Sequence, residues 1–215
     1  GWMMGPWLIY AALINSASIA LYYGSPTQRE FSHFIAETGV NMLGVVPSTV
    51  RAWQRSDCLN GLDWSKIRCF SSTGECSDPD GMLYLMSRAG YKPVIEYCGG
   101  TEIGGGYITG TMVQPAAPAT FSTAALGLDI AIADDEGKKA KNGELFIEPP
   151  SIGLSNELLN GDHHATYFSG VPKSETGLKL RRHGDRMERL PNGYYRAHGR
   201  TDDTMNLSGI KVSSV

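Results

Sequence analysis

The chain has 215 residues, enough for one large domain or two small ones. Its formal net charge is −3, from 19 basic and 22 acidic side chains, so it lacks the electrostatic footprint of a nucleic-acid or anionic-membrane binder. Its four cysteines (Cys58, Cys69, Cys76, Cys98) have no Cys-x-x-Cys spacing and no histidine at zinc-ligand spacing, which leaves a reducing compartment as the expectation, cytoplasmic or an organelle matrix such as the peroxisome.

Residues 7–23 form the longest apolar run. Asn15, Ser16 and Ser18 interrupt it and it is short for a membrane span, so a buried helix followed by a buried strand at 18–23 is expected. No basic region precedes the run, so no signal peptide is visible. Residues 27–38 read as a helix opened by a Thr cap, with Phe31, Phe34 and Ile35 on one face and Gly39 as its stop. An apolar strand at 41–46 ends at Pro47, and a helix is expected from 49 to 53. A strand at 67–71 leads into the turn Ser71-Ser72-Thr73-Gly74-Glu75. A helix at 78–89 carries Asp-Pro-Asp in its first turn, and a strand at 94–97 runs into a glycine-rich turn. This alternation predicts a mostly parallel sheet with flanking helices.

The texture changes at Gln114-Pro115-Ala116-Ala117-Pro118. Short strands at 128–133, 144–148, 179–182 and 193–197, with tight turns such as Asp134-Asp135-Glu136-Gly137, predict a small antiparallel, barrel-like subdomain. The expected fold class is therefore α/β, a mostly parallel sheet followed by antiparallel β structure. The expected division is 1–115, 116–199, and 200–215 as a hinge and the start of a further domain. The tail Gly209-Ile210-Lys211-Val212 reads as the start of a strand with no partner in view, so the chain is expected to be a piece of something longer.

Several loops carry residues suited to chemistry. Cys98-Gly99-Gly100-Thr101-Glu102-Ile103-Gly104 follows a strand expected to be parallel, where ligands bind in the crevice at the carboxyl end. A Thr hydroxyl beside a Glu carboxylate suits Mg²⁺ and phosphate. The spacing fits equally a flexible loop with a capping Thr, and the glycine order is not a dinucleotide fingerprint. Gly74 and Glu75 sit on the neighbouring strand-to-helix connection, which should open on the same edge. His183-Gly184-Asp185 reads as a solvated turn, although its carboxylate could hold a diol such as a ribose. Asp162-His163-His164 lacks a third ligand at useful spacing and reads as a polar loop. Asp202 and Asp203 would face opposite sides of a strand and cannot easily act as a pair.

Taken together, these loops resemble the AMP-forming acyl-CoA synthetases of the adenylate-forming superfamily, which also includes luciferases and peptide-synthetase adenylation domains. Gly99-Gly100-Thr101-Glu102, His183-Gly184-Asp185 and Gly199-Arg200-Thr201-Asp202-Asp203 with Ser208-Gly209 carry the match, in that order. The likeness covers essentially the whole chain and is strongest to acetyl-CoA-synthetase-like and plant acyl-activating members. It implies two steps. ATP-Mg²⁺ and a carboxylic acid give an acyl-adenylate and pyrophosphate, and CoA then displaces AMP to give a thioester.

The resemblance also implies roles. Thr101 would touch phosphate and Glu102 would bind Mg²⁺. Asp185, assisted by Arg200, would accept from the ribose hydroxyls. Gly74, Glu75, Glu96 and Tyr97 would border the adenine. Thr73 and Gly99 would face the acyl pocket. Asp202 would be the hinge, Gly209 would line the CoA route, and Lys211 would stand where some relatives place an Arg reaching the phosphate. Relatives usually carry an aromatic residue in place of Cys98, and acetate enzymes a Trp in place of Gly99. A Gly there implies room for an acid longer than acetate, medium-chain or aryl-substituted. The lysine-bearing phosphate loop and the C-terminal domain with its catalytic Lys would lie outside this chain, which would then be inactive alone. Two other readings are a non-catalytic relative acting as a binding module, and an adenylate-forming ligase that uses a carrier protein. Oligomeric state is left open.

Overall fold

The computed structural model describes residues 3–175, 177–201, 205–207 and 210–212, the last two stretches by their backbone. Two sheets organise the chain. The first has the order β1-β2-β3-β4-β5 and is built from β1 (Met42–Val45), β2 (Cys69–Ser72), β3 (Val94–Gly100), β4 (Gly105–Thr109) and β5 (Thr123–Ala124). The pairs β1–β2 and β2–β3 are parallel. The pairs β3–β4 and β4–β5 are antiparallel.

The crossover helices arise where the sequence has clear start and stop signals. Helix α2 (Arg29–Thr38) ends at Gly39, whose left-handed backbone (φ 67°) closes the last turn. Its N-cap is Gln28, not the expected Thr27, whose hydroxyl bonds Ser25 Oγ at 2.9 Å instead. Helix α3 (Pro47–Ser56) starts two residues before the expected Thr49, because Pro47 lacks an N–H and fits the first helical position. Helix α4 (Pro79–Ser87) is capped by Asp78, which accepts from Gly81 N at 2.6 Å. These helices cover a core in which Val50, Trp53, Phe70, Met82 and Leu85 are wholly buried.

The N-terminal expectation fails. Helix α1 (Met4–Ile14) buries only Ala12, and Leu13 and Ile14 are 71% and 81% exposed. It is apolar on every side and so has no single stripe to direct its packing. Residues 17–23 are not in a ladder with any described strand, and Leu21 and Tyr23 stand exposed. No helix among the described residues is long and apolar enough to cross a membrane.

The glycine-rich turn after β3 is a tight hairpin. Cys98, Gly99 and Gly100 continue the strand, one 3-10 turn spans Thr101–Ile103, and β4 returns antiparallel. A Cβ on Gly99 would overlap Gly105 O and lie 2.7 Å from Gly106 Cα. Glycine is what lets these two backbones approach.

The second sheet is antiparallel throughout, in the order β6 (Asp129–Ala133), β7 (Asn142–Glu148), β8 (Arg181–Arg189), β9 (Tyr195–Arg200). The chain passes from the first sheet to the second between Ala124 and Asp129. Tyr107 and Ile108 of β4 pack with Ile132, Leu145, Ile147 and Met187 of the second sheet in one buried cluster. A backbone bridge between Phe121 and Tyr195 adds a tie. A short helix α5 (His163–Phe168) lies in the connection to β8, with Asp162 as its N-cap. The expected lone strand at 210 does find a partner: β10 (Met205–Leu207) pairs antiparallel with β11 (Ile210–Val212).

Candidate active site

The His183-Gly184-Asp185 segment is not a solvated turn. It lies inside β8, where the register steps from Asp185 opposite Leu145 to Arg182 opposite Phe146. His183 and Gly184 are thus the extra residues of a bulge, which turns the strand and re-aims its side chains. Gly184 has φ 85°, and a Cβ there would lie 3.0 Å from Arg200 Cζ. The glycine therefore both permits the backbone and makes room for the guanidinium.

Asp185 is 8% exposed and densely bonded. Its Oδ2 accepts from the Tyr107 hydroxyl at 2.5 Å and from the Cys98 thiol at 3.2 Å. Its Oδ1 accepts from Arg200 Nη1 at 3.1 Å, and the same nitrogen donates to His183 O at 2.6 Å. His183 Nε2 is 3.5 Å from Oδ2. Burial alone would push the Asp185 carboxyl up. The His183 charge, the Tyr107 hydroxyl, Arg200 and the Cys98 thiol outweigh it and hold Asp185 below the usual carboxylate range. Burial and the neighbouring Asp185 charge push the Cys98 thiol well up, so it stays a protonated donor.

His183 joins this carboxylate to a second one. Its Nδ1 lies 3.4 Å from Glu102 Oε1. Glu102 sits in the hairpin turn beside the exposed Thr101, with its side chain 25% exposed and folded over Gly100. No group of three or more metal-ligating side chains exists among the described residues. A single accessible carboxylate still fits Mg²⁺, which takes one or two carboxylates and draws its other ligands from phosphates and water.

The turn is held from outside by Ser155, whose N–H donates to Glu102 O at 2.8 Å. Ser155 O lies 2.7 Å from His163 Nε2, and its hydroxyl accepts from Arg181 Nη2 at 3.1 Å. Arg181 is wholly buried, with its guanidinium 3.9 Å from the Tyr167 ring centre. Burial lowers its pKa.

The loop after β2 does structural work. Glu75 accepts from Ser48 N at 3.0 Å, Ser48 Oγ at 2.7 Å and Arg51 Nη2 at 2.9 Å, while Gly74 takes φ 89°. Glu96 is 2% exposed and turned inward, where it accepts from Ser77 Oγ at 2.9 Å. Burial raises its pKa to about 7. Tyr97 points the other way from Glu96 and Cys98 along β3. Its hydroxyl meets Met4 Sδ at 2.6 Å and bonds Thr73, and Trp7 packs edge-on at 5.5 Å. It therefore does not stand in for an aromatic residue at Cys98.

The structure thus gathers Thr101, Glu102, Asp185 and Arg200 with His183, and separately Thr73 with Tyr97. The steric basis expected for Gly99 changes: a Cβ there would meet the β4 backbone, so on that side the glycine serves the close approach of the two hairpin strands. Asp202 and Gly209 lie outside the described residues, and Lys211 is described by its β11 backbone only. Sequence reading missed Tyr107, Ser155 and Arg181. Tyr107 and Arg181 are buried in strands, where nothing in the local pattern separates a working side chain from a core one. The surface recess lined by Leu62, Trp64, Arg88 and Lys92 shares no residue with this cluster.

Residues 1–154 match the family described as AMP-binding enzymes. The chain belongs to that family. It is 56% identical over 220 aligned residues to probable acyl-activating enzyme 17, peroxisomal, of Arabidopsis thaliana, and 54% identical to hexanoyl-CoA synthase of Cannabis sativa. Both alignments cover 100% of this chain, which spans 30% of each relative's length. Acetoacetyl-CoA synthetase from Streptomyces lividans superposes with a TM-score of 0.78 at 26% identity, over 100% of this chain and 34% of that one. An anthranilate CoA ligase solved with anthranoyl-AMP has the same fold, with a TM-score of 0.71 at 22% identity, over 92% of this chain and 37% of that one.

Proposed function

We propose that this chain is the nucleotide-holding part of an AMP-forming acyl-CoA synthetase. The observation that carries the reading is the Asp185–Arg200 pair at 3.1 Å, joined through His183 to Glu102 on the β3–β4 hairpin. In this reading Asp185 accepts from the ribose diol of ATP and Arg200 fixes the carboxylate. Thr101 donates to a phosphate oxygen. Glu102 holds Mg²⁺, which when bound neutralises phosphate charge. The Gly74-Glu75 backbone borders the adenine, with Glu96 and Tyr97 nearby, and Thr73, hydrogen-bonded to Tyr97, faces the acyl side. Lys211 supplies a further cation to the phosphates, Asp202 serves as the hinge and Gly209 lines the CoA path.

The chemistry is adenylyl transfer followed by acyl transfer. The substrate carboxylate oxygen attacks the α-phosphorus and pyrophosphate leaves. The CoA thiol then attacks the acyl carbon, loses its proton, and AMP leaves. These residues contribute positioning and charge neutralisation.

The 54% identity to a hexanoyl-CoA synthase supports a medium-chain acid as substrate. That support replaces the argument from space at Gly99. The four free cysteines support a reducing compartment, and the peroxisomal name of one relative supports the peroxisome over the cytoplasm.

The test is carboxylate-dependent ATP–pyrophosphate exchange by the full-length protein that carries this chain, across acids from acetate to long-chain and aryl carboxylates. Exchange peaking at medium-chain acids is expected. A folded protein that exchanges with no acid would be a non-catalytic relative. Exchange without thioester formation from CoA would point to a carrier-protein acceptor.

A further inference from the structure

The two oxygens of Asp185 are not equivalent. Oδ2 receives two donors from the first sheet, the Tyr107 hydroxyl of β4 at 2.5 Å and the Cys98 thiol of β3 at 3.2 Å. A carboxylate oxygen offers about two lone-pair sites, so these two donors fill it. Oδ1 has the Arg200 contact at 3.1 Å and keeps a site for another donor. Tyr107 is wholly buried, its ring packed edge-on against His183 at 4.6 Å between centres, so a ligand does not reach it. The strand that carries Asp185 belongs to one sheet and the strands that carry its two Oδ2 donors to the other.

We propose that Tyr107, with Cys98 as second donor, is a positioning residue that locks Asp185 Oδ2 across the two sheets and thereby aims Oδ1 at the ribose diol. The inference rests on the ribose role proposed for Asp185. Without the two donors the carboxylate keeps the Arg200 bond and the 3.5 Å His183 contact but loses its hydrogen bonds to the first sheet, and the diol meets an acceptor that is less firmly aimed. The thiol and the phenol are both protonated at neutral pH, since burial pushes each pKa well up, so both serve as donors. The pair also accounts for a thiol at position 98. A small donor fits beneath Asp185 and reaches Oδ2, which an apolar aromatic ring cannot do.

The experiment compares ATP with 2′-deoxy-ATP and 3′-deoxy-ATP in pyrophosphate exchange by the full-length protein. Wild type, Tyr107→Phe, Cys98→Ala, Cys98→Ser and Asp185→Asn are assayed, each with a thermal melt. Tyr107→Phe is expected to raise KM for ATP about 10-fold, as befits loss of a hydrogen bond to a charged group, with kcat within about threefold. Its preference for ATP over the deoxy analogues should collapse toward unity. Cys98→Ala should do the same more weakly, and Cys98→Ser, which keeps a donor, should restore the preference.

A Tyr107→Phe protein that keeps its preference for ATP overturns the inference. So does a loss of kcat that is equal for all three nucleotides, because that is the mark of a general structural role. Should Tyr107→Phe fail to fold, Cys98→Ala decides, a retained preference counting against the inference and a lost one for it. Asp185→Asn separates the two levels. If wild type and Asp185→Asn treat the three nucleotides alike, the ribose assignment itself fails. If Asp185→Asn loses the preference while Tyr107→Phe keeps it, only the inference fails.

Discussion

Glu75 caps a helix that begins far upstream of it: its carboxylate accepts from Ser48 N at 3.0 Å and Ser48 Oγ at 2.7 Å. Helix α3 needs this help. Its own N-cap is Val46, which has no acceptor, and Pro47 follows it. A carboxylate at that end also complements the helix dipole and pairs with Arg51 at 2.9 Å. Replacing Glu75 by Ala should destabilise the full-length protein by about 1–2 kcal/mol, the usual range for a lost cap. Urea denaturation checks this. Stability within a few tenths of a kcal/mol of wild type would show that the contact contributes nothing.

Glu96 makes stability depend on pH in a defined direction. Burial lifts its pKa from the usual 4.5 to about 7 in the fold. The folded state therefore binds the proton more tightly than the unfolded state. The resulting stability is fully present below about 4.5 and is lost as pH rises through about 7. Its full size is at most about 3 kcal/mol at 1.36 kcal/mol per unit. Glu96→Gln stays neutral, so its stability relative to wild type should rise between those limits and then level off. Parallel stability curves for the two proteins would show that Glu96 does not titrate there.

Gly99 gives a prediction opposite to the one its place in the motif suggests. A Cβ there meets β4 backbone, with Gly106 Cα 2.7 Å away. Even Gly99→Ala must push the hairpin apart and displace Thr101 and Glu102 at its tip. Activity should fall by at least about tenfold for every acid, as misplacing a reacting group by an ångström is enough to do. The order of preference among acids should be unchanged. A Gly99→Trp protein that stays active and shifts toward acetate would restore the pocket assignment.

Legibility in the sequence followed locality. Helices α2, α3 and α4 and strands β1 to β3 were readable because apolar periodicity, prolines and glycines mark them within a few residues. The partners of Glu75 and Asp185 were not, since Ser48 and Tyr107 lie 27 and 78 residues away in sequence. The segment 183–185 looked like a turn because Gly and Asp are turn formers, yet the same glycine is what a bulge inside a strand requires. The run at 7–23 looked buried because it is apolar, but burial needs a partner surface as well as an apolar chain. The motif residues Thr101, Glu102, Asp185 and Arg200 stood out in the sequence one segment at a time; that His183 lies between Glu102 and Asp185 is visible only in the fold.

The bulge glycine offers the sharpest separation of stability from function. Gly184 sits at φ 85°, where an L-residue is strained by about 1–2 kcal/mol, and a Cβ would stand 3.0 Å from Arg200 Cζ. Gly184→Ala should therefore cost that stability and also move Arg200 off Asp185 Oδ1. In the proposed reading the second effect weakens ATP binding and leaves acid preference alone, so KM for ATP should rise at least about tenfold while KM for the acid stays within about twofold. Arg200→Lys should copy the KM effect without the backbone strain, because the shorter side chain keeps the charge but does not carry a nitrogen to the place where Arg200 Nη1 bonds both Asp185 Oδ1 and His183 O. If Gly184→Ala lowers the melting temperature but leaves KM for ATP unchanged, the Asp185–Arg200 pair is a structural tie between β8 and β9 and not part of a nucleotide site.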